Sequence, residues 1–456
     1  MNITLRRPAR ILALLCVLLA PAGAPAQVDD RVQRLERAAS LIGADRLAEA
    51  EQQLNQVLRA APNEAAALNL LGAIRAKQGR LDEAEALFSR AVRSDARLAG
   101  AHMNLAYLYL LRGEPEKTAA ELNEVLRLEP ANADAGYRLA WLLLSQGRFD
   151  ECISLVDKLK QTQALTPSLL AVLGDAYLGK GDVGKAEESY LLALDKKSAG
   201  AEVLLGLAQV AQARGDAQAA ALHLGRARSL VANSPDLLHR FARVALNSGM
   251  RVEAVSALKR AAELRPGEPS YLFALGAAWL RTPADLQEAE QSFQRFLKLR
   301  PDDARAQMLL GYVLLKQKKH AEARAWLEKS IQKGAGTPEA FYYLGLIAQG
   351  QNEDARAVEL FEKATRMEPS FAHAHIALGS TYLKLKDYPR AQQALEAGVK
   401  LSPEDSKAHY NLAMLYARLK NPERAREEMS IVERLKSAGK AQDDDGASVV
   451  PPRPLH

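Results

Sequence analysis

Two cysteines in 456 residues exclude a disulfide framework. Cys16 lies in an apolar run near the N-terminus and is read as part of a leader, which leaves Cys152 with no intramolecular partner. Stability must then come from packing. Long apolar runs are also missing: the run from Ile11 to Ala20 is well short of the roughly 20 residues that span a bilayer, so no transmembrane segment is expected in the mature chain. Charge of one sign is not concentrated either. No Lys/Arg run exceeds three residues, and removing Arg6, Arg7 and Arg10 with the leader takes the formal charge from +6 to near +3, so the pI of 9.1 is no nucleic-acid footprint.

Histidines number only eight. His373 and His375 are two apart, which on a helix points them to different faces and makes them a poor ligand pair. No Ser-His-Asp, Cys-His or metal-ligand constellation stands out, so no catalytic, cofactor-binding or metal residue is assigned and the chain is read as a non-enzyme. Two spellings imitate nucleotide motifs, GDAYLGK at 174–180 and GKGDVG at 179–184. A phosphate loop follows a strand and ends in Ser or Thr, whereas Gly174 falls mid-helix and Gly181 follows Lys180.

What the chain does have is a period. PEAFYYLGLIAQGQNEDARAVELFEKATRMEP, Pro338 to Pro369, reads as two amphipathic helices joined by a tight turn: Phe341, Leu344, Gly345 and Ala348 share one stripe, and Ala357, Phe361 and Ala364 share the other. Steps of 34 residues, with one extra in the eighth copy, give twelve copies starting at Arg31, Ala65, Ala99, Ala133, Pro167, Ala201, Pro235, Pro269, Ala304, Pro338, Ala372 and Ser406. Slot eight is Gly or Ala in all twelve, as expected where two helices cross too closely for a larger side chain. Slot twenty, small or nearly so throughout, is expected to answer it from the second helix; Cys152 sits there as an inert substitute for Ala. A pair this short cannot bury its apolar face alone, so each needs its neighbours.

The pattern resembles the tetratricopeptide repeat, with W-x2-L-G-x2-Y, A-x3-F and P as its signature. Leu170, Leu173, Gly174, Tyr177, Ala186, Tyr190 and Ala193 carry it in one copy, and Phe341 through Pro369 in another. The resemblance implies an all-α, right-handed α-solenoid of about twelve helix-turn-helix repeats over residues 31–439. It also implies that the first helices line a concave surface, with slots 2, 5, 9 and 12 pointing into it. Those slots make Met103, Tyr107, Tyr137 and Trp141 one candidate protein-binding cluster, and Met308, Tyr312, Tyr342 and Tyr410, with Tyr343 close by, another. Aromatics at slot nine (Tyr107, Trp141, Tyr312) are expected to be exposed contact surface. The family's carboxylate clamp is not reproduced, since Asn104 and Asn411 lack the full partner set. His102, His375 and His409, all at slot four, are read as aromatic fillers, with His375 and His409 near enough in adjacent copies to approach one another.

Residues 1–26 have the arginines, apolar run and A-x-A ending of a Sec-type signal peptide cleaved near Ala26, which places the protein in the periplasm. Residues 27–30 are a short linker, and 440–456, with few bulky apolar residues and three prolines, a disordered tail. In the first copy Arg34 and Arg37 take slots where bulky apolar residues belong, as suits a capping repeat. The functional expectation is an exported adaptor for protein or peptide partners. The alternatives are a polysaccharide-associated secretion or assembly factor and a glycosyltransferase-associated repeat protein.

Overall fold

Every odd-numbered helix from the third onward begins on the residue where its copy of the period begins. The computed structural model describes residues 26–162, 165–195, 200–280, 285–332 and 336–437, with 24 helices and no strand among them. They fall into two compact units, Met1–Leu230 and Val231–His456. In the first unit the helices are α1 (Ala26–Gly43), α2 (Leu47–Ala60), α3 (Ala65–Lys77), α4 (Leu81–Ser94), α5 (Ala99–Arg112) and α6 (Pro115–Leu128). They continue with α7 (Ala133–Ser145), α8 (Phe149–Thr162), α9 (Pro167–Gly179), α10 (Val183–Leu194), α11 (Ala201–Ala213) and α12 (Ala217–Val231). The second unit holds α13 (Pro235–Asn247), α14 (Arg251–Leu264), α15 (Pro269–Trp279), α16 (Leu286–Leu299), α17 (Ala304–Lys316) and α18 (His320–Ser330). Its remaining helices are α19 (Pro338–Gly350), α20 (Asp354–Met367), α21 (Ala372–Lys384), α22 (Tyr388–Leu401), α23 (Ser406–Arg418) and α24 (Pro422–Ser437). Residues 27–30, expected as linker, are helical. The expected signal peptide, apart from Ala26, and the expected tail at 440–456 lie outside the described residues.

Local chemistry sets these boundaries. Asn132, Thr166, Asp303, Thr337 and Asp405 each accept a hydrogen bond from the backbone N–H three residues on, which satisfies a donor that the first turn leaves open. Pro occupies the first turn of α6, α9, α13, α15, α19 and α22, where its missing N–H costs nothing. Between the helices of eleven pairs, slot fifteen adopts left-handed backbone. It is Gly at 79, 113, 147, 181, 215 and 249, but Asp45, Lys318, Asn352, Lys386 and Lys420 hold φ between 57° and 63° in the same place. The next N–H then reaches back five residues, as from Asp387 to the Tyr382 carbonyl at 2.9 Å. Lysine there carries a Cβ penalty that glycine lacks. Lys386→Gly is therefore expected to stabilise the second unit by about 0.5–1 kcal/mol, net of glycine's greater chain entropy. A higher urea midpoint checks this, and a lower one refutes it.

Within the pairs that have glycine at slot eight, that slot packs chiefly on slot twenty-four rather than on slot twenty. A Cβ on Gly72, Gly276 or Gly345 would lie 2.7, 2.9 or 2.4 Å from the ring of Phe88, Phe293 or Phe361. Where slot eight is Ala in the third, fourth, sixth and seventh pairs, slot twenty-four is Leu122, Val156, Leu224 or Leu258. A ring at slot twenty-four is met by glycine, because the ring's thickness takes the room a methyl would need, but glycine also meets leucine: a Cβ on Gly311 or Gly379 would lie 2.6 or 2.5 Å from Leu327 or Leu395.

Between pairs, α1, α3 and α5 pack in succession, as do α7, α9 and α11 in the same unit and α17, α19, α21 and α23 in the other. Consecutive second helices show no comparable packing, so the first helices form the tighter, inner side within each unit. Slot four has a specific job at these joints. Gln307 Nε2 donates to the Pro301 carbonyl at 2.7 Å, and His375 and His409 Nε2 each lie 3.0 Å from the carbonyls of Pro369 and Pro403. His102 Nδ1 is 2.7 Å from Glu121 Oε2, and its Nε2 is 3.3 Å from the Ala96 carbonyl. The slot-four histidines are thus polar ties to the end of the preceding second helix, not mere fillers. His375 and His409 are each engaged within their own joints rather than with one another. In the capping pair Arg34 Nε donates to Asp30 at 2.9 Å and Arg31 pairs with Glu64 at 3.0 Å, so these arginines sit in polar company.

Candidate functional site

In the third and fourth pairs the inner row opens into a cavity of about 200 Å³. Ala106, Tyr107 and Leu110 of α5, Thr118 and Leu122 of α6, and Tyr137, Arg138, Trp141 and Leu142 of α7 line it. Its floor is aliphatic because this pair combines Ala106 with Leu122, where the second and fifth pairs set a glycine against Phe88 and Tyr190. Three expected residues, Tyr107, Tyr137 and Trp141, therefore share one wall system. The fourth, Met103, is not among the cavity's lining residues: it is buried, part of the core cluster on which Tyr107 and Trp141 pack.

The rim is held by one acid. The Tyr107 hydroxyl donates to Asp134 Oδ2 at 2.6 Å, Arg138 Nε donates to the same oxygen at 2.9 Å, and the guanidinium lies 4.3 Å from the Tyr107 ring centre. Burial, followed by the Asp134 hydrogen bond, pushes the Tyr107 phenol up to about 12, so it stays a donor at physiological pH. Tyr137 keeps 36% of its surface exposed. Its phenol is also raised, first by burial and then by the charge of Glu202, with Arg138 opposing. Arg138 and Leu110 were not anticipated. The Asp134–Arg138 spacing of four on one helix was the available signal.

The C-terminal candidates are placed differently. Tyr312 is only 3% exposed, and Met308, Tyr342 and Tyr343 are also buried. Tyr312, Tyr343, Tyr342 and Phe371 form a ladder with successive ring centres 5.2, 5.6 and 5.1 Å apart. The expectation that Tyr312 presents aromatic surface is corrected: the Tyr343 ring and surrounding core cover it, and burial pushes its phenol up to about 12. Tyr410 stands apart, 47% exposed, with no ring contact to the ladder among the described residues.

Cys152 is buried, and its Sγ–H donates to the Ala140 carbonyl at 3.4 Å. Burial pushes the thiol up to about 12. Alkylation of the native protein at pH 8 is expected to be on the order of 10³-fold slower than that of a free cysteine and to recover in denaturant. Native labelling at the free-thiol rate would contradict this placement. Among the described residues no group of three or more His, Cys, Asp or Glu is placed to hold a metal, and no helix is long and apolar enough to cross a membrane.

Two family models described as tetratricopeptide repeat match the chain, one over residues 35–99, 172–236, 284–338 and 376–439, the other over 109–176 and 346–401. Solved structures with a similar fold include a tetratricopeptide repeat protein of Parabacteroides merdae, 18% identical, which covers 54% of this chain and 98% of its own at a TM-score of 0.45. PilF of Pseudomonas aeruginosa is 21% identical, with coverage of 44% and 92% and a TM-score of 0.41. YrrB, a TPR protein with an unusual peptide-binding site, is 21% identical, with coverage of 40% and 94% and a TM-score of 0.34. No curated protein matches the chain. With family-model matches over most of its length and a helical pair for each of the twelve copies, the chain belongs to the tetratricopeptide repeat family.

Proposed function

We propose that this protein is a non-enzymatic interaction scaffold of the cell envelope that receives a segment of a partner protein on its inner row of helices. The observation that carries the reading is the cavity at Tyr107, Tyr137 and Trp141, where side chains of three helices leave apolar surface open on the inner side of a rigid stack. A repeat stack suits this role, because each pair contributes side chains to one continuous face while its own core lies between its helices. Export rests on the leader-like composition of residues 1–26.

Site-specific photocrosslinking in the native cell tests the reading. A crosslinking amino acid at Tyr137 is expected to yield protein adducts well above those obtained at Leu192, which is 60% exposed on α10, a second helix. Equal yields at both positions, or adducts at Leu192 alone, would remove the inner row as the binding face. Fractionation of the same cells tests location: recovery of the protein with cytoplasmic markers would refute the envelope assignment.

A further inference from the structure

The turns inside the last four pairs differ from the earlier ones in strain, charge and polarity. Slot fifteen is glycine from the second pair to the seventh, and glycine enters left-handed backbone without a Cβ penalty. Lys318, Lys386 and Lys420 hold φ of 62°, 63° and 57° at the same slot. Asp45 and Asn352 are eased at such angles by a short polar side chain, whereas lysine has no such compensation. A residue kept three times against a local penalty points to a role outside the fold.

The neighbouring slots change in the same direction. Over slots thirteen to nineteen the ninth to twelfth pairs carry a net formal charge of +5, against −1 for the first six pairs. Most acids of this stretch are engaged: Glu353 with Arg324 and Arg356, Asp354 with Lys384, and Asp387 with Arg390. Glu322 and Glu423 stand exposed. Lys319 pairs with Glu290 at 2.9 Å, but among the described residues the side chains of Lys316, Lys318, Lys386, Arg418 and Lys420 have no hydrogen-bond or ion-pair partner. Five uncommitted cations thus face outward with two uncommitted carboxylates. The turns share one edge of the second unit because its first helices pack in succession, and Lys384 bridges two of them, reaching Asn352 at 2.9 Å and Asp354 at 2.8 Å.

Slot fourteen supplies the apolar part. It is Gln, Arg, Lys or Ser in the second to seventh, ninth and tenth pairs, but Leu385 and Leu419 take it in the last two, both exposed and each followed by a strained lysine. We propose that this edge docks on a bilayer surface rich in anionic lipid, with Leu385 and Leu419 entering the boundary between headgroups and acyl chains and Lys318, Lys386 and Lys420 meeting lipid phosphates. An acidic protein segment would engage the lysines but gives no reason for leucine to replace a polar residue beside them. The inference is independent of the inner-row reading, whose cavity lies in the other unit.

Sedimentation of the full-length protein with vesicles tests it, using phosphatidylcholine alone or equal parts phosphatidylcholine and phosphatidylglycerol, at low and high salt. A photoreactive acyl chain in the lipid lets contacts be mapped by mass spectrometry. Binding is expected to be stronger to the phosphatidylglycerol vesicles and to weaken with salt, with adducts in the peptides that hold Leu385 and Leu419. Lys386→Gly is expected to lower vesicle affinity about fivefold while raising the urea midpoint, a combination that a merely structural lysine would not give. Adding Lys318→Gly and Lys420→Gly should bring the loss to on the order of 10²-fold. Leu385→Ser with Leu419→Ser is expected to remove most of the adducts at these turns. Equal binding to the two vesicle types, adducts confined to residues 1–26, or unchanged affinity of the triple lysine variant overturns the proposal. Binding of polyglutamate without binding of vesicles would assign the edge to an acidic polymer and overturn the lipid reading as well.

Discussion

Replacing Tyr190 with Ala is expected to destabilise the first unit by about 3–5 kcal/mol, the cost of removing a fully buried ring together with the cavity left behind. Tyr190 is 0% exposed and packs with Leu170, Ala171, Ala186, Val203 and Leu207. Its ring is held between two glycines on successive first helices: a Cβ would approach it to 2.6 Å from Gly174 and to 2.3 Å from Gly206. Removing it opens space within the fifth pair and at its joint with the sixth, and in a stacked array the joint term is what couples neighbours. Tyr190→Phe keeps the ring and loses the 2.5 Å hydrogen bond to Asp175, for which about 1.5–3 kcal/mol is expected. Urea titration with amide exchange across α9 to α11 separates the two variants. A Tyr190→Ala effect no larger than that of Leu192→Ala, at an exposed site in the same helix, would mean that the ring is not a keystone of this joint.

Gly345→Ala is expected to cost the second unit about 1–3 kcal/mol, although alanine is the better helix former by roughly 1 kcal/mol. Packing wins over propensity because the new methyl would lie 2.4 Å from Phe361 Cε1, on a ring that is fully buried and packed against Tyr342 at 6.0 Å between centres. Pairs with Ala at slot eight put Leu or Val at slot twenty-four in the third, fourth, sixth and seventh copies, although the ninth and eleventh set Gly311 and Gly379 against Leu327 and Leu395. Gly345→Ala combined with Phe361→Leu should therefore be less damaging than the sum of the two, with a coupling of about 1 kcal/mol or more. Strict additivity would show that ring and glycine are neighbours without being matched.

Much of this architecture was legible beforehand because it is local. A helical pair is bounded by its own caps, prolines and turn, so eleven of the twelve first helices start on the residue that the period marks; only α1, starting at Ala26 rather than Arg31, departs. Counting also exposed the small residue at slot eight. What counting could not say is which residue meets it. Slots twenty and twenty-four lie on one stripe of the second helix, and side-chain reach, not spacing, decides that a slot-twenty-four ring covers the glycine.

The candidate site was legible only in part. Slot position identified Tyr107, Tyr137 and Trp141 on the inner row, and the structure sets them around one cavity. The same rule assigned Tyr312 to the surface, and the structure buries it. By itself, then, the sequence determined the repeat, the helices and the face on which each residue stands, since these follow from interactions a few residues apart. The tertiary structure alone decided depth: whether an inward-facing aromatic is covered or open depends on rings and aliphatic chains contributed by other helices, at Tyr343 in one case and at Leu122 and Trp141 in the other.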